Sequence, residues 1–536
     1  MVLEQPGRVS EKPVSSPAEQ GRKTQREARA TLAPVRDRNG VNEFVKAGLA
    51  LTLAAIWVAA LTPALNGCAA RGGGPGDLLS AVGFDPYRLT NDGDKEADRF
   101  DEAFHLYAAD PDNTRQLKHF RDTYKRVHYA YIDDVPEEKL IDAALTGLEQ
   151  RAPAPQSLPA DELVEVALDS MTASLDPHSA YLTPDELRET QLVTMGEFGG
   201  LGIQVTEEEG VVKVIAPLDD TPAKRAGIKS GDVITHLDGD SIRGRSLKHA
   251  VGLMRGAPGT TINLTIERAG RPPFQLDLTR EIITIEPVRW RRYGSIGYIR
   301  IVGFNEKAAE RLEDAMVDLR TSELGLSGLV IDLRNNPGGL LDQSIDVADA
   351  FLDNGKIVAI RGRDAASERA FSARYGDLAR DLPIVVLVNA GSASAAEIVA
   401  GALQDHHRAT VMGAPSFGKG SVQTVMRLPE GGALKLTTAL YYTPNGTAIQ
   451  ARGVQPDIQL VGDADDGVPE THEKDLPGAL AGSVAEMVTA VSSVDAKACA
   501  TVDDAAEDRA LGCAVAFIRA GSSDQFFASL AGQQRL

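Results

Sequence analysis

At 536 residues the chain is too long for one compact core, so two or three domains are expected. With 43% hydrophobic and 25% charged residues its composition is that of an ordinary globular protein. The formal charge of −20 and the lack of any Lys/Arg cluster exclude a nucleic-acid partner, because phosphate binding needs concentrated positive charge.

Residues 47–65, AGLALTLAAIWVAALTPAL, form an uncharged apolar run long enough to cross a bilayer or to serve as the core of an export signal. The nine Lys/Arg and six Asp/Glu of residues 1–46 give that segment a net charge of +3. The positive-inside rule therefore keeps it in the cytoplasm and sends the rest outward, to a bacterial periplasm or cell envelope. Directly after the run, LNGC (65–68) resembles a bacterial lipobox, which implies cleavage before Cys68 and its lipidation. The other reading is a plain cysteine in an ordinary signal or anchor. A 46-residue leader is long, and a start at Val41 would give a conventional short one. Either way the chain is expected to be membrane-associated, through an anchor or a lipid. Cys499 and Cys513 are free to pair in an oxidising compartment.

Residues 68–112, rich in glycine and polar residues, read as a flexible tether. Residues 113–195 read as a helical domain. Leu117, Phe120, Tyr124, Val127 and Tyr131 make one apolar face, Leu140, Ile141, Ala144, Leu145 and Leu148 a second, and 161–173 a third helix. Packing or self-association is its expected role. From 196 to 282 short alternating strands are separated by glycine turns, with GLGI (200–203), TPAKRAGIKSGDVI (221–234) and a helix near 247–254. This stretch resembles a PDZ domain. The resemblance implies that the N–H groups of Gly200, Leu201, Gly202 and Ile203 hold a peptide's terminal carboxylate while the peptide adds a strand to the sheet. In residues 283–460, β-rich runs alternate with helical patterns at 305–321, 341–353 and 395–407, which predicts an α/β core.

Within that core a buried strand (383–388), a turn of small residues and a helix bring Ser394 to a strand-to-helix corner, a place suited to a nucleophile. Ser392, two residues earlier, is a second candidate. Ser394 and Glu397 also spell an S-x-x-E capping box, which needs no catalysis. Histidine is the default base. His406 is twelve residues along the same helix, roughly 18 Å at about 1.5 Å per residue, and His178, His236 and His249 fall in other domains. Lys419, between Gly418 and Gly420 with no adjacent acid, is the alternative. A lysine base must be neutral at working pH, which burial away from anions can achieve.

The ordered motifs SLDPHSAYLT (174–183), DLRNNPGG (332–339), NAGSASAAEI (389–398), GAPSFGKGSVQ (413–423) and GVQPDI (453–458), with the PDZ insert, resemble the carboxyl-terminal processing (tail-specific) protease family over residues 114–460. The resemblance implies a crotonase-like spiral α/β core. It also implies Ser394 as nucleophile, Lys419 as base and Gln423 orienting the lysine, with an oxyanion hole from Ala395 and either Gly338 or Gly339. The substrates it implies are proteins with free C-termini. Residues 461–536 lie outside it and are given no activity. No metal or cofactor site is expected, since His406 and His407 are adjacent on a helix and no acid is spaced for chelation. A catalytically silent PDZ adaptor and a crotonase-like acyl-CoA enzyme are the other function classes. Intact Ser394, Lys419 and Gln423 disfavour the first, and the export segment and PDZ insert disfavour the second.

Overall fold

The computed structural model describes residues 91–536 apart from 152–153, 209, 219, 246, 322–324, 365–367, 463–470, 483–491, 503–507 and 534–536. The apolar run at 47–65, Val41 and Cys68 lie outside the described residues. Among the described residues no helix is long and apolar enough to cross a membrane.

The N-terminal part is built from α1 (Asn91–Tyr107), α2 (Thr114–Ala130), α3 (Glu137–Arg151) and α4 (Ala160–Ala173). Asn113 caps α2, its side chain accepting from Gln116 N at 3.3 Å, and Phe120, Tyr124 and Val127 are fully buried as their spacing predicts. Two expectations are corrected. The stretch read as tether up to 112 is helical from Asn91, because Phe100 and Phe104 are removed from water and Phe100 stacks on Phe120. Nor does the helical part have a core of its own: its cluster continues into Leu428, Leu434 and Leu436. Strand β1 (Ala180–Leu182) pairs antiparallel with β18 (Ala433–Tyr442), placing Ala180 opposite Lys435.

Helix α5 (Pro184–Thr194), opened by a Thr183/Glu186 capping box, leads to the PDZ region. Strands β2 (Glu197–Gly200) and β9 (Glu281–Thr284) form the antiparallel ribbon at its root. Between them lie β3 (Ile203–Glu208), β4 (Val211–Pro217), α6 (Pro222–Arg225), β5 (Val233–Leu237), β6 (Asp240–Ser241), α7 (Leu247–Met254), β7 (Thr261–Glu267) and β8 (Phe274–Thr279). The sheet order is β3-β4-β5-β7-β8, with β6 on β5, around a core that includes Val214, Ile234 and Leu264. Strand β3 is therefore an edge.

The core is a seven-stranded sheet in the order β10 (Val288–Tyr293), β11 (Ile296–Ile301), β12 (Gly328–Asp332), β15 (Ile384–Val388), β16 (Ala409–Gly413), β19 (Ile458–Val461) and β20 (Ser492–Asp495). Only the β10/β11 pairing is antiparallel. Every residue of β12 and β15 is buried, as a parallel strand covered on both faces requires. Helices α8 (Ala308–Thr321), α9 (Leu341–Asp349) and α10 (Ala395–Asp405) cover one face, and α11 (Arg509–Ala520) and α12 (Ser523–Gln533) the other. Strands β13 (Lys356–Gly362), β14 (Arg369–Ser372) and β17 (Ser421–Arg427) join β1 and β18 in a second sheet. The boundary at 460 is also corrected. Strand β20 extends the main sheet, and Leu511, Cys513 and Ala514 pack on Val330, Val385 and Leu387. Cys499 and Cys513 form a disulfide, Sγ–Sγ 2.03 Å.

Candidate active site

A cleft of about 980 Å³ opens where the two sheets meet, and Ser394, Lys419, Gly339, Leu340, Lys435 and Tyr441 are among its walls. Ser394 stands at the start of α10 with φ 55° and ψ −114°. A non-glycine residue in this region carries strain, which surrounding structure must hold in place. The acidic arm of the expected capping box is made, Glu397 Oε2 accepting from Ser394 N at 2.6 Å. Ser392, which spacing alone left open, is fully buried. Its hydroxyl donates to Leu333 O at 2.8 Å and accepts from Asn389 N at 3.0 Å, so it is part of the turn's scaffold.

Lys419 enters from the loop between β16 and β17. Gly420 permits the close approach this loop needs: a Cβ there would meet Gln450 N at 2.1 Å, and Gly420 N donates to Gln450 Oε1 at 2.9 Å. Burial lowers the Lys419 pKa and neighbouring Lys435 lowers it further, against weaker opposing effects of Glu473, Asp176 and Glu397. No histidine lines the cleft among the described residues. His406 binds Lys356 O through Nε2 at 2.7 Å, and His178 pairs with Glu473 at 2.8 Å.

Glu397 joins the two elements. It is buried and accepts hydrogen bonds from Ser394 N, Ser416 Oγ, Gly418 N and Lys419 N. Burial pushes its carboxyl up to about 7, with those four donors pulling the other way. The S-x-x-E spacing had pointed to this residue, but as a local cap; its reach to the lysine loop, 21 and 22 positions on, is tertiary.

Of the two glycines considered as oxyanion donors, Gly338 already donates its N–H to Asn336 Oδ1 at 2.9 Å. Gly338 also lies directly against the serine, since a Cβ on it would sit 2.8 Å from Ser394 Cβ. The N–H groups of Gly339 and Ala395 have no hydrogen-bond partner among the described residues. Gln423 Nε2 donates to Ser421 Oγ at 2.9 Å and to Thr437 Oγ1 at 3.3 Å, and Thr437 Oγ1 donates to Asp176 Oδ1 at 3.1 Å. The glutamine thus faces this network and makes no hydrogen bond to Lys419. Asp176, from SLDPHSAY, and Thr437 were missed by sequence reasoning. In the PDZ region Gly202, at φ 73°, packs against Thr221, where a Cβ would come within 2.3 Å. Its carbonyl accepts from Leu218 N at 2.8 Å.

Peptidase family S41 matches residues 295–460, and the PDZ domain matches residues 199–273. The chain is 48% identical over 347 residues to a carboxy-terminal-processing protease of Bartonella bacilliformis, covering 64% of this chain and 75% of that one. It is 37% identical over 303 residues to a probable CtpA-like serine protease of Staphylococcus haemolyticus, covering 56% and 60%. Among solved structures it is similar to a photosystem II D1 C-terminal processing protease, with 33% identity, coverage of 65% and 93%, and a TM-score of 0.44. The chain belongs to the carboxy-terminal-processing protease family. It is a serine protease with a PDZ domain, which sets aside both the silent-adaptor and the acyl-CoA readings.

Proposed function

We propose that Ser394 is the nucleophile and Lys419 the general base of a protease that trims proteins presenting free C-termini. The observation that carries this reading is that one cleft holds both a strained serine at a helix N-terminus and a lysine whose amine is biased toward neutrality. The neutral amine takes the Oγ proton as Oγ attacks the scissile carbonyl. The oxyanion is received by the N–H groups of Gly339 and Ala395, the second at the positive end of α10. The lysine ammonium then returns its proton to the departing amine, leaving an acyl-serine. Water, deprotonated by the same lysine, releases the acyl group. Gln423 acts at one remove, holding β17 beside Lys419 through Ser421 and Thr437.

The PDZ domain selects the substrate. The carboxylate of its C-terminus sits on the N–H groups of Gly200, Leu201, Gly202 and Ile203, and the chain behind it adds to the open edge of β3. The apolar run at 47–65 exports the enzyme and, with Cys68 as lipid acceptor, holds it at the cell envelope. The functional parts are the helical region from Asn91, the PDZ region at 196–282 and the protease core from 283, to which strand β20 and helices α11 and α12 also belong. A serine-directed acylating probe tests the chemistry. Labelling of the full chain that disappears in Ser394→Ala supports it, and labelling that persists there overturns it.

A further inference from the structure

Arg334 lies just past the end of β12, five residues before Gly339, and its guanidinium is held by two carboxylates. Nε and Nη2 donate to the two oxygens of Asp332 at 3.0 and 2.7 Å. Nη1 and Nη2 donate to the two oxygens of Asp508 at 3.0 and 2.7 Å. Asp332 is fully buried and also accepts from Arg300 Nη1 at 2.9 Å and Tyr298 OH at 2.7 Å. The cluster is therefore two guanidinium groups balanced by two carboxylates. Asp508 supplies one of those charges from beyond residue 460, where the family match ends.

We propose that Asp508 is a positioning residue for catalysis: by clamping Arg334 it fixes the 334–339 loop that presents Gly339 to the carbonyl being cleaved. The inference rests on the assignment of Gly339 as an oxyanion donor.

The connection from Arg334 to the cleft is continuous. Arg300 Nη2 holds the Arg334 carbonyl at 2.9 Å. Asn335, at φ 55°, donates its N–H to Asn389 Oδ1 at 2.9 Å and accepts from Asn389 Nδ2 at 2.9 Å. The Asn336 carbonyl accepts from Ala393 N at 2.9 Å, which ties the loop to the residue before Ser394. Asn336 Oδ1 fixes Gly338, and Leu340 N donates to Phe304 O at 2.7 Å on the far side of Gly339. Without Asp508 both guanidinium groups would share the single carboxylate of Asp332, and an arginine that is now 17% exposed would be drawn toward water. The loop's first anchor would move with it.

Asp508 is itself well anchored. It is the N-cap of α11, accepting from Leu511 N at 2.9 Å. The helix is buried along Leu511, Cys513 and Ala514, and the Cys499–Cys513 disulfide closes the segment that contains Asp508. The clamp is thus fixed to the back of the core sheet, while the loop it steadies opens on the cleft.

The test uses the full chain with Asp508→Asn, Asp508→Glu and Ser394→Ala. Asparagine is as good an N-cap as aspartate, so Asp508→Asn removes the charge and keeps the helix start. With a peptide substrate carrying a free apolar C-terminus, kcat should fall about 10- to 100-fold, as expected of small misplacements relayed to a reacting centre. KM and the affinity for a fluorescein-labelled tail peptide should be unchanged when measured well below the unfolding midpoint, which itself should fall because a largely buried guanidinium loses a partner. Asp508→Glu, which keeps the charge, should recover part of kcat. Wild-type kcat in Asp508→Asn, or a loss matched by weaker tail binding, would overturn the proposal. If Asp508→Asn does not fold, the same readouts on Asp508→Ser, which also keeps an N-cap and removes the charge, decide, with wild-type kcat there counting against the clamp. Activity surviving in Ser394→Ala would instead bring down the catalytic assignment, so the two failures are told apart.

Discussion

Glu397 accepts the backbone N–H of Lys419 at 2.9 Å, and it does so with the same carboxylate oxygen that accepts from Ser394 N at 2.6 Å. One buried side chain therefore sets the relative position of the two proposed catalytic residues. A glutamine there offers one acceptor oxygen and turns an NH2 group toward N–H donors. Each buried donor left unpaired costs about 1–3 kcal/mol. Glu397→Gln should lower both the unfolding midpoint and kcat, the latter by about tenfold or more. A thermal melt and steady-state kinetics check this, and wild-type values in both would refute the role.

Ser394→Ala and Lys419→Ala should each abolish peptide hydrolysis without unfolding the chain, since neither removes a large apolar side chain. Residual cleavage in either at more than background rates, with circular dichroism unchanged, would contradict the Ser/Lys assignment.

Activity should rise with pH through an apparent pKa below that of ordinary lysine, because burial and Lys435 disfavour the Lys419 ammonium and only the neutral amine accepts a proton. The same shift acts on stability. Lowered in the folded state, the Lys419 pKa makes the unfolded chain bind more protons between the folded and ordinary values. Stability therefore climbs with pH across that window. Lys419→Met should be inactive yet melt higher than wild type at neutral pH, with the advantage shrinking toward pH 10. An advantage that does not change with pH would point to packing instead of charge.

Gly339 has φ 144°, and a Cβ on it would meet Phe304 O at 2.3 Å. Gly339→Ala should therefore displace the loop and, if its N–H receives the oxyanion, reduce kcat by about 10²–10³-fold while leaving tail-peptide affinity intact. A change confined to KM would argue against the oxyanion role.

Gly202→Val combines a disfavoured φ of 73° with a clash against Thr221. It should weaken cleavage of tail-bearing substrates at least tenfold and leave labelling by a small serine probe alone. Amidating the substrate's C-terminus should act in the same way on the wild type. Equal cleavage of free-acid and amidated substrates would show that the domain does not read the carboxylate. For location, Cys68→Ala should fail to incorporate labelled fatty acid, and unchanged incorporation would rule out lipidation there.

Much of this was legible in the chain itself because it depends on residues close in sequence. The apolar periodicity of 117–131 marks α2, the unbroken apolar runs at 328–332 and 384–388 mark strands covered on both faces, and closely spaced glycines mark the turns beside Ser394 and Lys419. The ordered motifs then separated Ser394 from Ser392, a choice that the burial of Ser392 supports on physical grounds. Helix α1 was misread as tether because its acidic, polar surface dilutes the few aromatic residues that pin it.

What the sequence by itself determined was the set of parts: a PDZ region, an α/β core, a serine at a strand-to-helix corner and a lysine between glycines. Only the tertiary structure decided how those parts are held. It turned Glu397 from a local cap into the joint between serine and lysine, and left Gly339 as the glycine with a free N–H. It also added strand β20 to the core sheet and packed α11 on its face, so that Asp508 meets Arg334 across 174 positions. The physical reason is range. Periodicity, caps and turns are set by neighbours a few residues apart, whereas burial, charge pairing and hydrogen-bond satisfaction depend on which distant segments the folded core brings together.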